Sequence, residues 1–487
     1  MLMNIEQQKK AVILLTIDAL RADHLKSYGY HRNTAPYIEK FAEKGSIFLN
    51  TITNGPESPT AFSSLFTSIL PLLDGGFSPL PPEKITLPQL LKENRINTYA
   101  IHSNPNLGKY FNFNRGFDVF LDGERYKKQS TNSLKHQLIV YIKKIFDYNN
   151  LSNKLMYRLK GFNRLKTWLR KKMPFLTDIL LPFTPIAYNA PYVVNKLISF
   201  LETCQKPIFF WAHFMDVHSP YNPPMRNVLN FREKDFNISE RKFLVEKVYP
   251  KANEIEITPK RINDLKTLYD AEINFVDEYL AVFLETVKRK IQNNCLIIIT
   301  ADHGESFYEH GLFGHQGSIY DEVLKIPLII VELGKKSIKK EVKDTIQLID
   351  IAPTILEYFG IEIPENFQGL SLLSMTRGES IKRNGFIISE CYQKSGLMKR
   401  NQEDGFILLA IRNQGWKYIF DEENDKEFLF NLKLDPQENK NLINENTEKL
   451  PEFRAIKRYH INKITESYEE KLKITKSIDK FKLDSLK

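Results

Sequence analysis

Short apolar runs recur along this chain, and stretches with apolar residues at helical spacing separate several of them. Thr86–Asn94 and Leu265–Glu285 are two such predicted helices. Buried strands that alternate with helices are typical of an α/β fold, in which a large, mostly parallel sheet is flanked by helices. The predicted strands are Ala11–Ile17, Asn97–Ile101, Ile208–Ala212, Leu296–Thr300 and Ile326–Val331.

The pattern changes after about residue 380, where short apolar runs are separated by turn residues such as Asn413-Gln414-Gly415. This spacing predicts a small antiparallel sheet. We therefore divide the chain into an α/β domain, a small C-terminal α+β subdomain and a charged helical tail, with the bounds 1–375, 380–445 and 446–487. The short runs are Phe386–Ser389, Phe406–Ile411, Trp416–Phe420 and Phe428–Leu432.

The segment 125–195 interrupts the α/β alternation and carries most of the net charge of +10. Residues 125–172 hold fourteen Lys and Arg but one acid, Asp147. We interpret 125–195 as a helical insertion whose basic side faces solvent or an anionic substrate. The alternative is that residues 125–172 make peripheral contact with an anionic membrane. The chain has none of the usual nucleic-acid-binding motifs, so no nucleic-acid partner is expected.

The three cysteines are scattered and fit a reducing compartment rather than a disulfide framework. No apolar run approaches the roughly eighteen residues that span a bilayer, and the ten residues ahead of the first predicted strand are mostly polar. The protein is therefore expected in the cytoplasm, with peripheral membrane contact as the alternative.

Carboxylates directly follow two of the predicted strands: Asp18 after the first, and Asp302 with His303 after Leu296–Thr300. Ligands collect at the carboxyl ends of parallel strands, so neighbouring strands would bring these three side chains together. Two carboxylates and an imidazole suit a divalent cation, and leave Mn²⁺, Zn²⁺, Ca²⁺ and Mg²⁺ open.

Ser58 begins a hydroxyl-rich helical segment that runs to Ser68. The free N–H groups of a helix N-terminus favour an oxyanion, and a cation beside a hydroxyl activates it as a nucleophile. The sequence also fits a helix-capping Ser58 with Pro59 at the first helical position. Five of the ten histidines lie in the same polar clusters: His213, His218, His303, His310 and His315.

Taken in order, these elements resemble the sulfatase family of the alkaline phosphatase superfamily. The resemblance extends through Tyr269–Ile273, Tyr320–Leu328 and Leu348–Thr354 to Asp435–Leu442. It implies an alkaline-phosphatase-like fold and a metal site formed by Asp18, Asp302, His303 and Ser58, with Ser58 as the nucleophile. It further implies that His218 and His315 contact the transferred group and that Asn104 contacts substrate.

The chain departs from the family's Cys/Ser-x-Pro-x-Arg motif, whose first residue is oxidised to formylglycine. Proline stands one place early, at Pro59, and Phe62 replaces the arginine. We therefore expect an unmodified Ser58, which makes phosphoric esters candidates beside sulfuric esters. Ala19 and His303 replace an Asp and an Asn of many sulfatases, and the spacing of Asp216-Val217-His218 favours one metal ion over two.

The sequence thus predicts a metal-dependent hydrolase of sulfuric or phosphoric esters carried by a small molecule, glycan or lipid. Two alternatives remain open. One is a phosphoglycerol or phosphoethanolamine transferase that acts on a glycan or lipid. The other is a non-catalytic binding protein on a sulfatase scaffold.

Overall fold

The computed structural model describes residues 10–74, 79–123, 189–248, 256–335, 340–379, 383, 385–394, 405–445 and 448–484. The basic segment 125–172 lies outside the described residues. The prediction that it forms a solvated insertion or a membrane contact therefore stays a prediction, as do the domain bounds.

A large mixed sheet organises the described residues. Its eight strands lie in the order β10-β2-β9-β6-β1-β5-β3-β4. They comprise β1 (Ala11–Ile17), β2 (Ser46–Ile52), β3 (Asn97–Ile101), β4 (Val119–Leu121), β5 (Ile208–Phe214), β6 (Cys295–Ala301), β9 (Lys325–Leu333) and β10 (Lys340–Gln347). A two-stranded hairpin, β7 (Ser306–Phe307) and β8 (Phe313–Gly314), follows β6.

The centre of this sheet is parallel and buried on both faces. Strand β1 pairs in parallel with β5 and β6, and all seven residues of each of these strands are buried. Burial on both faces explains why these strands are continuous apolar runs rather than alternating ones. The predicted strand Ile326–Val331 forms, but β9 runs antiparallel to both β2 and β6, so the sheet is mixed.

The helices form two packed groups. The described helices are α1 (Pro36–Ala42), α2 (Ser58–Thr67), α3 (Leu87–Glu93), α4 (Ala190–Thr203), α5 (Met225–Val228), α6 (Ile238–Phe243), α7 (Pro259–Ile291), α8 (Asp321–Leu324), α9 (Ile351–Phe359), α10 (Leu373–Arg377) and α11 (Leu450–Asp484). Helix α7 packs against α1, α4 and α5, whereas α2 packs against α3 and α9. In the described part of the chain, no helix combines the length and apolar character needed to cross a membrane.

Both predicted helices are confirmed, with shifted ends. Thr86 caps α3 through a capping box with Gln89 rather than lying inside the helix. Helix α7 begins six residues earlier than predicted, at Pro259, because Thr258 accepts a hydrogen bond from the Arg261 N–H and caps it.

A four-stranded antiparallel sheet forms the C-terminal part, as predicted. Its order is β11-β12-β13-β14, with the strands Ile387–Lys394, Gly405–Asn413, Trp416–Asp421 and Lys426–Asn431. Helix α11 packs on this sheet, where Phe453 stacks on Tyr418 at a centroid distance of 5.9 Å.

Candidate active site

The parallel register of β1 and β6 brings the predicted metal ligands together. Ile17 pairs with Ala301, so Asp18 and Asp302 are the next residues at the same sheet edge. The His303 Nε2 atom lies 3.8 Å from Asp18 Oδ1 and 3.6 Å from Asp302 Oδ2. All three side chains are fully buried. The structure thus brings Asp18, Asp302 and His303 together.

Three atoms of this cluster are buried without a hydrogen-bond partner: Asp18 Oδ1, Asp302 Oδ2 and His303 Nε2. Leaving buried polar atoms unsatisfied costs about 1–3 kcal/mol each, and more for charged groups. The imidazole nitrogen lies within 4 Å of both carboxylate oxygens, a spacing that a cation could bridge. The donor set of two carboxylate oxygens and one imidazole nitrogen therefore fits a divalent metal ion.

The turn after β6 depends on a glycine. A Cβ atom at Gly304 would lie 2.2 Å from the Glu322 carbonyl oxygen, which is closer than packing allows. The Gly304 N–H donates to the Val323 carbonyl at 2.7 Å, and the Glu305 N–H donates to Glu322 at 3.1 Å. These bonds hold the loop that carries Asp302 and His303 against α8.

Ser58 is the first residue of α2 and reaches the carboxylate cluster. Its Oγ donates to Asp18 Oδ2 at 3.3 Å and accepts from Asn104 Nδ2 at 2.9 Å. The alternative in which Ser58 caps the helix is wrong in detail, because Glu57 occupies the capping position and makes no side-chain cap. The Ser58 hydroxyl therefore makes its hydrogen bond to Asp18 rather than to the helix backbone.

Asn104 is held by its own backbone surroundings. Its Oδ1 accepts from the Asn106 N–H at 2.9 Å and caps the short helix that follows β3. Because the carbonyl end of the amide is occupied, the Nδ2 end points to Ser58 and also reaches Asp18 Oδ2 at 3.3 Å. The structure therefore places Asn104 beside the predicted nucleophile.

The two further predicted histidines lie next to the cluster. The His315 ring centroid is 4.1 Å from that of His303 and 5.4 Å from that of His218. Burial lowers the pKa of His315, but its hydrogen bond to Glu305 at 3.3 Å and the Glu305 charge raise it, and the net direction is upward. A protonated His315 can donate to an anionic group.

The histidines around Asp18 favour its ionised form. Burial raises its pKa, but the charge of His218 and the hydrogen bond from His213 oppose this, and the net pKa lies well below the usual range. An ionised Asp18 can accept hydrogen bonds and coordinate a cation.

Two buried residues of the site were given no role from the sequence. His213 on β5 places Nε2 3.0 Å from Asp18 Oδ2 and 4.0 Å from Asp302 Oδ2, so Asp18, His213 and Asp302 form a group that could hold a metal ion. Glu305 binds His315 and accepts from the Tyr221 hydroxyl at 3.1 Å. A histidine inside an otherwise apolar strand is the signal that could have identified His213.

Phe62, at the position of the motif's arginine, packs into the core behind the site. Its ring lies 5.0 Å from Trp211 and meets the His213 ring edge-on at 5.0 Å. The side chain is fully buried. A buried aromatic side chain therefore occupies the position at which the motif has a positively charged arginine.

This fold and this carboxylate–imidazole cluster beside a helix-borne serine define a class of α/β ester hydrolases. The family model "Sulfatase" matches residues 10–361, and the model "N-sulphoglucosamine sulphohydrolase, C-terminal" matches residues 308–465. The chain belongs to the sulfatase family of ester hydrolases, and the predicted family is confirmed.

Two relatives agree with this assignment. An arylsulfatase of Clostridium perfringens is 23% identical over 477 residues, covering 92% of this chain and 93% of the relative. A delta 4,5-hexuronate-2-O-sulfatase of Bacteroides thetaiotaomicron is 29% identical over 180 residues, covering 36% of each chain.

Solved structures share the fold at low identity. A phosphonate monoester hydrolase of Agrobacterium radiobacter has a TM-score of 0.69 at 17% identity, covering 94% of this chain and 96% of that one. A structure bound to its substrate D-glucosamine-2-N,6-O-disulfate has a TM-score of 0.68 at 16% identity, covering 94% and 98%. At these identities the likeness shows the fold alone, and it confirms the predicted α/β architecture.

Proposed function

We propose that this protein is a metal-dependent hydrolase of sulfuric or phosphoric esters with Ser58 as its nucleophile. One observation carries the proposal. The Ser58 hydroxyl is hydrogen-bonded to Asp18, whose other oxygen joins Asp302 Oδ2 and His303 Nε2 as buried atoms without partners. A nucleophile beside a prepared cation site suits attack on an anionic ester.

We infer that one divalent ion is held by Asp18, Asp302 and His303, with Ser58 as a further ligand. When bound, this ion would lower the pKa of the hydroxyl and offset the charge of the ester oxygens. The mixed oxygen and nitrogen set leaves Mn²⁺, Zn²⁺, Ca²⁺ and Mg²⁺ as the candidates.

We assign each step of the reaction to particular side chains of the site. Ser58 Oγ loses its proton to solvent and forms a bond to phosphorus or sulfur as the bond to the alcohol oxygen breaks. Asn104 fixes the position of Oγ through its Nδ2. His218 and His315 donate to the non-bridging oxygens, or a proton from His315 passes to the leaving oxygen. Water then attacks the ester of Ser58 and releases the inorganic anion.

The substrate class follows from the departure at Phe62 and Pro59. With Ser58 unmodified, the covalent ester must be released by hydrolysis, a route that suits phosphate as well as sulfate. A 2-O GAG sulfatase and a phosphonate monoester hydrolase are both among the structures that share this fold. A small-molecule, glycan or lipid ester remains our proposal for the substrate.

The test is a panel of aryl sulfate, phosphate monoester, phosphodiester and phosphonate substrates under a screen of divalent metals. We expect at least one ester to be cleaved, with activity lost in EDTA and restored by one metal. Replacing Ser58→Ala should reduce kcat by at least about 10³-fold, since it removes the attacking atom.

The matched control is Ser63→Ala, a buried serine in the same helix whose Oγ has no hydrogen-bond partner. This variant should retain wild-type activity. Unchanged activity of Ser58→Ala, or indifference to EDTA, would contradict the proposal. Intact mass spectrometry of the wild-type protein should show Ser58 without oxidation.

A further inference from the structure

We propose that His213 is a positioning residue that orients Asp18 for the metal ion, and this inference rests on the proposed function. In our hypothesis the imidazole donates from Nε2 to Asp18 Oδ2 and leaves Oδ1 directed at the cation. His213 lies on β5, next to β1, where it pairs in register with Thr16.

The two oxygens of Asp18 have different surroundings. Oδ2 lies 3.0 Å from His213 Nε2 and 3.3 Å from both Ser58 Oγ and Asn104 Nδ2. Oδ1 has no hydrogen-bond partner and lies 3.8 Å from His303 Nε2. Because His213 contacts the already crowded oxygen, its geometry favours holding the carboxylate over binding the ion itself.

The second nitrogen of the ring is also fixed. His213 Nδ1 lies 3.0 Å from Thr16 Oγ1, and that hydroxyl accepts from Trp211 Nε1 at 3.1 Å. An ionised Asp18 can only accept a hydrogen bond, so Nε2 carries the proton and Nδ1 accepts from Thr16. Outer partners of this kind fix the orientation of metal ligands.

Core packing restricts the His213 ring to the orientation in which it contacts Asp18. Phe62 meets the His213 ring edge-on at 5.0 Å, and His213 is fully buried. The imidazole therefore cannot swing away from Asp18 without disturbing the core. In this chain the arginine position of the family motif is apolar, and the Phe62 side chain that occupies it packs on the ring that donates to Asp18.

Three substitutions of His213 distinguish the effect of its Nε2 donor from the effect of the volume of its ring. His213→Gln places an amide N–H near Nε2, His213→Asn reaches only the position of Nδ1, and His213→Phe keeps the ring without a donor. His31→Gln, at an exposed histidine, is the control. The dissociation constant for Zn²⁺ is measured on each purified full-length protein by competition with a chromophoric chelator.

We expect the Asn and Phe variants to bind Zn²⁺ about 10- to 100-fold more weakly, the usual loss when an outer partner is removed. The Gln variant should bind within about threefold of wild type. Equal affinities in all proteins would overturn the proposal. So would a Gln variant as weak as the Phe variant, because a merely structural role of the ring would give that result.

X-ray absorption of the Zn²⁺-loaded wild-type protein counts the bound imidazoles and does not depend on whether the variants fold. One imidazole, from His303, is expected. Two imidazoles, with the count falling to one in His213→Phe, would show that His213 is itself a ligand and overturn the positioning role. Failure of the wild-type protein to bind any divalent metal would instead contradict the proposed function.

Discussion

Asp18 shows how one side chain can serve two purposes at the residue scale. Its Oδ2 takes hydrogen bonds from Ser58, Asn104 and His213, whereas its Oδ1 is buried without a partner. Hydrogen bonds to a ligating carboxylate restrict its orientation and tune its affinity for a cation. Loss of a donor to Oδ2 should therefore affect the chemistry more than the fold.

Replacing Asn104→Ala tests this directly. The variant removes the Nδ2 donor to Ser58 Oγ at 2.9 Å, so the nucleophile loses one of its two fixed partners. We expect kcat to fall about 10²-fold, with a smaller change in KM, because a preorganised donor acts mainly in the transition state. Steady-state kinetics on the best ester of the panel measure both constants.

Asn106→Ala is the matched control. Asn104 accepts from the backbone N–H of residue 106, so truncating that side chain leaves the hydrogen bond in place. Wild-type kinetics are expected for this variant. A fall in kcat as large as that of Asn104→Ala would show that the loop, rather than the amide, matters.

At the scale of elements, helix α11 is anchored to the C-terminal sheet by charge as well as by apolar contacts. Glu427 on β14 forms ion pairs with Arg454 and with Lys457, the latter at 2.9 Å. Burial raises the pKa of Glu427, but the hydrogen bonds from Arg454 and Lys457 oppose it, and the pKa falls to about 2.

This shift predicts a pH-dependent contribution to stability. A carboxyl group with a lowered folded pKa stabilises the protein fully above its unfolded pKa, and that contribution is lost as pH falls. Glu427→Gln should therefore lower Tm at pH 7. The difference from wild type should shrink as pH falls from about 4.5 towards 2.

The Tm of wild type and of Glu427→Gln is measured by thermal unfolding across this pH range. A chelator is present throughout, so that release of metal does not affect the comparison. Glu423→Gln, at an exposed residue, is the control and should show no pH-dependent difference. A Tm difference for Glu427→Gln that stays constant down to pH 3 would contradict the prediction.

At the scale of the whole molecule, a cluster of ion pairs joins the C-terminal sheet to helix α8. Lys417 Nζ lies 2.7 Å from Asp321 Oδ1 and 2.5 Å from Glu438 Oε1, and Arg412 donates to Asp321 at 3.0 Å. Lys417 is fully buried. Asp321 begins α8, the helix that holds the loop of Asp302 and His303.

Replacing Lys417→Met should destabilise the protein by about 3–5 kcal/mol, because it leaves the buried Glu438 carboxylate without its cation. The double variant Lys417→Met with Glu438→Gln should recover part of this loss, since it removes the carboxylate that the first substitution leaves without a cation. Urea unfolding measures both free energies of unfolding. Lys426→Met, at an exposed lysine, should change stability by less than about 0.5 kcal/mol.

Much of the site could be predicted because it lies at strand ends. Asp18, Asp302 and His303 follow apolar runs that form β1 and β6, and a parallel pair presents its carboxyl ends at one edge. His213 directly follows the predicted strand Ile208–Ala212, yet that position alone assigned it no role. The structure extends β5 to Phe214 and places His213 Nε2 3.0 Å from Asp18 Oδ2, a contact made by packing between distant segments.

The sequence by itself determined the local elements, the two strand-end clusters and the family, because hydrophobic periodicity and motif order are local properties of the chain. Only the tertiary structure decided the antiparallel direction of β9, the burial of His213 against Asp18, and the orientation of Glu305 towards His315. Strand order and register arise from packing between distant segments, and no local pattern records which side chains that packing brings within hydrogen-bond reach.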